Sequence, residues 1–237
     1  MLPKVGFKPG KLELIEPHMP RRPLTLTNRF PYHVTSRSNN KEWFYIPTEE
    51  VWSIFSEALS KVVNDYQVHI FAFVLMSNHF HLILETPQSN LGDVMRNLLT
   101  AVSKGIQRPA QRINHVFGGR YKWSLLDTVY STAYVLKYVL RNPVRAGISE
   151  TVESYPFSSL NLNSTMPIVS GIGPMWSTVP KARIEILNWL NLPAQPALEG
   201  QIGLGLRRSK FEFSKDNNHQ KLIRALAHSY LPVTASV

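Results

Sequence analysis

The chain predicts an α+β fold of the ferredoxin-like, split β-α-β kind, on three observations. Strand-like and helix-like runs follow one another in the order β-α-β-β-α-β-α. The two middle strand-like runs are separated only by Ser77-Asn78, which makes them a hairpin. A helix-like run lies on either side of that hairpin. This order implies a central antiparallel sheet with helices packed on one face, followed by a further helix and a mostly helical C-terminal extension.

Each element has its own local reason. "YHVTSR" alternates like a half-buried strand and ends in the polar "SNN". Pro47-Thr48 offers a helix start, with Glu49 and Glu50 in the first turn where the helix dipole favours acids. Val51, Phe55, Leu59, Val62 and Tyr66 then recur at three- and four-residue spacing, so 48–66 is expected as an amphipathic helix. "VHIFAFVLM" and "HFHLILE" are the hairpin strands, and 90–107 places Leu91, Val94, Met95, Leu98, Val102 and Ile106 on one helix face. Gly118-Gly119 breaks the chain before "RYKWSLL", a short fourth strand. A third helix is expected from Thr128 to Asn142, stopped by Pro143. Helices are also expected at 179–192 and 217–229. The domain reading is an N-terminal arm at 1–28, a main domain at 29–160 and an extension at 161–237, itself a candidate for DNA binding.

Composition narrows the class. Apolar and aromatic content is that of a globular protein, and no apolar run approaches the roughly 18 residues that span a bilayer. With no cysteine, disulfides, thiolate catalysis and cysteine-ligated zinc are excluded. A soluble, cytoplasmic protein is the expectation. Net charge is +10, and the stretch from Arg96 to Arg145 carries +8 of it, nine bases against the single acid Asp127. A localised cationic field without interleaved Glu attracts polyanions, of which nucleic acid is the commonest.

"MSNHFHLILE" raises a chemical question. Side chains alternate in a strand, so His79, His81, Ile83 and Glu85 face one way and Phe80, Leu82 and Leu84 the other. With the apolar set turned to the helices, the two imidazoles converge on the opposite face and can chelate one ion. A His-x-His strand is nevertheless more often structural than metal-binding. In "AYVLKYVLRNPVRAG", Tyr138 and Asn142 share a helix face with Tyr134 one turn earlier. Spacing alone reads them as core aromatics and a helix-end cap. Glu85 lies too far along its strand to join the histidines.

"YHVTSR", "FVLMSNHFHLIL", "FGGRYKWSLLD", "YVLKYVLRNPVRAGI" and "YPFSSL" occur in that order. Together they resemble the REP-associated tyrosine transposases, a branch of the IS200-like single-strand transposases with an HUH motif. The resemblance runs from Tyr32 to Leu160. Ser77 stands where that family commonly has proline, and 1–28 and most of 165–237 lie outside it.

The resemblance implies His79 and His81 as metal ligands, Asn142 as the third ligand and Tyr138 as the nucleophile. It implies nicking and joining of single-stranded DNA, on hairpin-forming repeats, through a 5′-phosphotyrosine linkage supported by Mg²⁺ or Mn²⁺. Tyr134 stays a packing residue. Arg37, Arg120, Lys122, Arg141 and Arg145 form the expected DNA-binding groove, with Phe117, Tyr121 and Trp123 as aromatics that either stack on bases or pack inside. Gly205–Lys215 is a second basic region. The expected partner is single-stranded or hairpin DNA, the protein acting as monomer or homodimer. The alternatives are a catalytically silent hairpin-binding regulator and a ferredoxin-like RNA-binding protein, and the latter calls for exposed sheet aromatics where two histidines stand.

Overall fold

The computed structural model describes residues 23–161, 183–192, 195–218 and 220–221. Four strands, β1 (Tyr32–Arg37), β2 (His69–Leu75), β3 (His79–Glu85) and β4 (Lys122–Leu125), form one sheet in the order β2-β3-β1-β4. Every neighbouring pair is antiparallel. That order, with α1 (Thr48–Tyr66) before the hairpin and α2 (Leu91–Gln107) after it, is the split β-α-β arrangement.

The alternation in β3 divides the molecule into two cores. Phe80, Leu82 and Leu84 enter a core with the apolar faces of α1 and α2, including Phe55, Leu59, Leu98 and Val102. Phe80 is completely buried and its ring lies 5.1 Å from Phe55 and 5.9 Å from Phe73. Burial on that scale contributes roughly 1.5–3 kcal/mol for each such ring. The strand between the histidines is thereby fastened from behind.

The opposite face is covered too. α3 (Val129–Leu140) lies across it, with α5 (Arg183–Asn191) and α6 (Pro196–Gly205) outside. Ile83, Ala72 and Val74 of the sheet, Val135 and Val139 of α3, and Trp189, Leu198 and Ile202 of the last two helices share this second core. It draws on residues from both sides of position 160. α3 begins with a capping box in which Thr128 Oγ1 accepts from Ser131 N–H and Ser131 Oγ accepts from Thr128 N–H, each at 3.0 Å.

Several local expectations change. α1 starts at Thr48 with Pro47 at the cap position, so the Thr48 hydroxyl does no capping. Pro143 does not stop the third helix. The chain turns once at Arg141 and restarts as α4 (Asn142–Arg145), with the proline at its start, where no N–H is needed. "YPFSSL" is an edge clasp: Leu75 N–H donates to Phe157 O at 2.9 Å, Ser159 N–H to Phe73 O at 2.9 Å, and Tyr155 O–H to Leu75 O at 2.7 Å. These bonds satisfy the outer edge of β2, which a bare edge strand would leave open. α6 has no clear sequence signal, being a short helix whose apolar positions keep no period. The helix expected at 217–229 lies mostly outside the described residues, as does most of the N-terminal arm.

A buried polar contact ties the outer helices to α3. Arg141 Nε lies 3.5 Å from Glu199 Oε1 on α6, both nearly sealed from water, and Arg141 Nη1 donates to Leu190 O on α5 at 2.8 Å. Lys137, one turn before Arg141, is fully buried with its ammonium 5.8 Å from the Trp189 ring. Burial first, then the Arg141 charge, lower its pKa to about 8, against which Glu199 pulls upward.

Candidate active site

The histidine-bearing face of the sheet opens at one end into a cavity of about 860 Å³. β1 supplies His33, Thr35 and Arg37; β3 supplies His79 and His81; the α3–α4 junction supplies Tyr138, Asn142 and Arg145. Gly203 in the last turn of α6, and Leu206 and Arg207 just after it, complete the lining. Among the described residues the walls carry six cations (Arg37, Lys41, Arg120, Lys122, Arg145 and Arg207) and no carboxylate. Such a lining favours anions, and phosphates first among them.

His79 is the better defined imidazole. Asn78 Nδ2 donates to Lys41 O at 2.7 Å, which turns its Oδ1 toward His79 Nδ1 at 2.8 Å. Nδ1 must therefore carry the proton, leaving the Nε2 lone pair free. His81 lies on the same face, its ring 5.2 Å from His79, 6.4 Å from Tyr138 and 5.1 Å from His33. All three histidines are held neutral at pH 7. Burial pushes His33 to about 3. Burial, with the Arg37 and Arg145 charges, pushes His79 to about 4. Burial, then the neighbouring histidines and both arginines, moves His81 well below its ordinary value.

Asn142 is fixed through its amide nitrogen, which donates to Tyr138 O at 2.9 Å and Val139 O at 3.1 Å. Its Oδ1 faces the other way and accepts from Arg145 Nη2 at 2.7 Å. A carbonyl oxygen has two lone pairs, so one remains for a cation. Arg145 also lies over the Tyr138 ring, 4.2 Å from its centroid. Two neutral imidazoles and one amide oxygen are donors of the kind a divalent cation takes. Among the described residues no three His, Cys, Asp or Glu side chains form an alternative centre.

The expected DNA-binding residues divide. Arg37, Arg120, Lys122 and Arg145 reach the cavity, whereas Arg141 does not. Its guanidinium is buried against Glu199 and the Leu190 carbonyl, where it cannot meet a phosphate. Phe117, Tyr121 and Trp123 belong to the α1–α2 core, so their fate is packing. Tyr134 packs against Phe213, ring centroids 5.2 Å apart, and Glu85 contacts His69 at 3.5 Å at the far end of β3. Of the basic stretch after Gly205, only Arg207 lines the cavity; Lys210 pairs with Asp127 at 2.6 Å.

Sequence reading missed His33, Asn78 and Gly203. Strand phase with Thr35 and adjacency to His79 were the available signals for the first two. Gly203 had none. A Cβ at Gly203 would stand 3.1 Å from the Tyr138 hydroxyl oxygen. Gly203→Ala should leave the melting temperature unchanged or slightly higher, since alanine favours a helix by about 1 kcal/mol. It should also slow any reaction of Tyr138 several-fold, because the hydroxyl must shift by a few tenths of an ångström. Single-turnover kinetics beside a thermal melt checks both.

A cationic cavity lined by histidines, an amide and a tyrosine on a split β-α-β sheet is a class of site suited to anionic ligands. Residues 27–142 match the family model described as "Transposase IS200 like". That segment, just under half of the chain, is similar to the IS200-like transposases. Among solved structures, a REP-associated tyrosine transposase bound to a REP hairpin is similar at 18% identity, covering 59% of this chain and 82% of that one, with a TM-score of 0.49. A candidate transposase from Deinococcus radiodurans R1 is similar at 16% identity, covering 51% and 93%, with a TM-score of 0.36. No curated protein sequence matches the chain. Among the described residues no helix is long and apolar enough to cross a membrane.

Proposed function

We propose that the chain nicks and rejoins single-stranded DNA beside hairpin-forming repeats, with Tyr138 as nucleophile and a divalent cation held by His79, His81 and Asn142. One observation carries this reading. Tyr138, both histidines and Asn142 line a single cavity whose described walls are strongly cationic and free of carboxylates. The five sequence segments that resemble the REP-associated branch support the choice of hairpin repeats as substrate.

The Tyr138 oxygen attacks the scissile phosphorus and loses its proton to solvent. The bond from phosphorus to the 3′ oxygen breaks, leaving a 5′-phosphotyrosine, and the departing 3′ oxygen takes up a proton to become a 3′-hydroxyl. Attack by another 3′-hydroxyl reverses the step and joins the strands. A phenol is a weak nucleophile, and a cation held by His79, His81 and Asn142 would supply Lewis acidity at the phosphate oxygens. Arg145, over the Tyr138 ring and bonded to Asn142, is placed to hold a non-bridging oxygen. Arg37, Arg120, Lys122 and Arg207 draw the strand along the cavity.

With Mn²⁺ or Mg²⁺ and a 3′-labelled, hairpin-bearing single-stranded oligonucleotide panel, the protein should form a labelled covalent adduct that survives denaturing electrophoresis. EDTA should abolish it. An adduct rate unchanged by EDTA would remove the metal from the mechanism. Tight hairpin binding without any adduct would leave a regulatory DNA-binding protein.

A further inference from the structure

We propose that His33 is a positioning residue that fixes the tautomer of His81 and so makes its second ring nitrogen a metal donor. This rests on the cation site proposed above and deepens it. His33 Nε2 and His81 Nδ1 are 2.8 Å apart, and both rings are almost wholly buried. The contact is not a by-product of strand pairing. In the β1–β3 register the partner of His81 is Thr35 and that of His33 is Ile83, so the two histidines meet on a diagonal with rings inclined by only 27°.

One proton lies between the two nitrogens. If His33 donates it, His81 must carry its own proton on Nε2 and has no lone pair for a cation. If His81 donates from Nδ1, His33 accepts and His81 Nε2 is free. The surroundings choose the second arrangement. The positive charges of Arg37 and Arg145 act on His81, which favours a lone pair rather than an N–H toward the cavity. His33 then carries its proton on Nδ1. His33 thus does for His81 what the Asn78 amide does for His79, and outer partners of this kind are worth about 10–100-fold in metal affinity.

The test uses the full chain without DNA. Imidazole ¹H–¹⁵N spectra of the metal-free protein at pH 7 should show His81 protonated on Nδ1. Calorimetric titration with Mn²⁺ alone should give His33→Leu an affinity about 10–100-fold below wild type. His33→Gln, whose Oε1 can accept at the place of Nε2, should recover most of it. Thermal melts confirm that each variant is folded. The proposal is overturned by His81 protonated on Nε2, by undiminished Mn²⁺ affinity in His33→Leu while His81→Ala has lost it, or by equal losses in the Leu and Gln variants. A wild type that binds no Mn²⁺ overturns the cation site itself, and the proposal with it.

Discussion

Tyr138→Phe should reduce covalent adduct formation below detection while hairpin affinity stays within about twofold. The expectation is large because the substitution deletes the attacking atom and little else. The side chain is nine-tenths buried, and its hydroxyl makes no hydrogen bond among the described residues. The ring keeps its contacts with Arg145 and His81, so the cation site and the cationic walls persist. Adduct yield with Mn²⁺ checks the chemistry, a filter-binding or anisotropy titration checks affinity, and a melt checks folding. An adduct in the phenylalanine variant moves the nucleophile elsewhere.

The second large effect concerns stability. Glu199→Gln should destabilise the protein by about 3–5 kcal/mol, because it leaves Arg141 charged and buried without its carboxylate. For a chain of this size that corresponds to a fall in melting temperature of roughly 6–20 °C. The double replacement Arg141→Met with Glu199→Leu should regain most of the loss, since apolar side chains of similar volume need no partner. Arg141 Nε and Glu199 Oε1 lie 3.5 Å apart with side chains 11% and 6% exposed, which is why this pair differs from the surface pair Lys61–Asp65. Denaturation followed by circular dichroism distinguishes them. A Glu199→Gln variant melting within a degree of wild type would show that water reaches the pair.

What could be read from the sequence is the part governed by short-range periodicity. The first three strands, both helices of the first core and the hairpin at Ser77-Asn78 follow from alternation and helical spacing, and β4 from a break at two glycines. α3 was legible as a helix, but its surroundings were not. Ten of its residues are buried, on every side, because α5 and α6 cover the face that amphipathic reasoning assigns to solvent. The same blindness explains Arg141. A guanidinium beside a proline on a basic segment reads as a surface charge until a carboxylate 58 positions later is found against it. Within the site, His79, His81, Tyr138 and Asn142 could be named from strand and helix phase with the family resemblance. Gly203 could not, since its role lies in a side chain that is missing, and strand phase put His33 on the right face without showing its diagonal contact with His81.

The alternation along β3 ties heredity to chemistry. Phe80, Leu82 and Leu84 face one core while His79, His81 and Ile83 face the cavity and the other. A one-residue insertion or deletion in the turn before this strand would exchange the two sets, sending imidazoles into the apolar layer and phenylalanine into the site. A lineage cannot drift by such a step into a folded but inactive form, because the frame that builds the core is the frame that presents the donors. Loss of activity with retention of the fold must come through substitutions, at Tyr138 or the donors themselves, and a silent descendant would carry that signature.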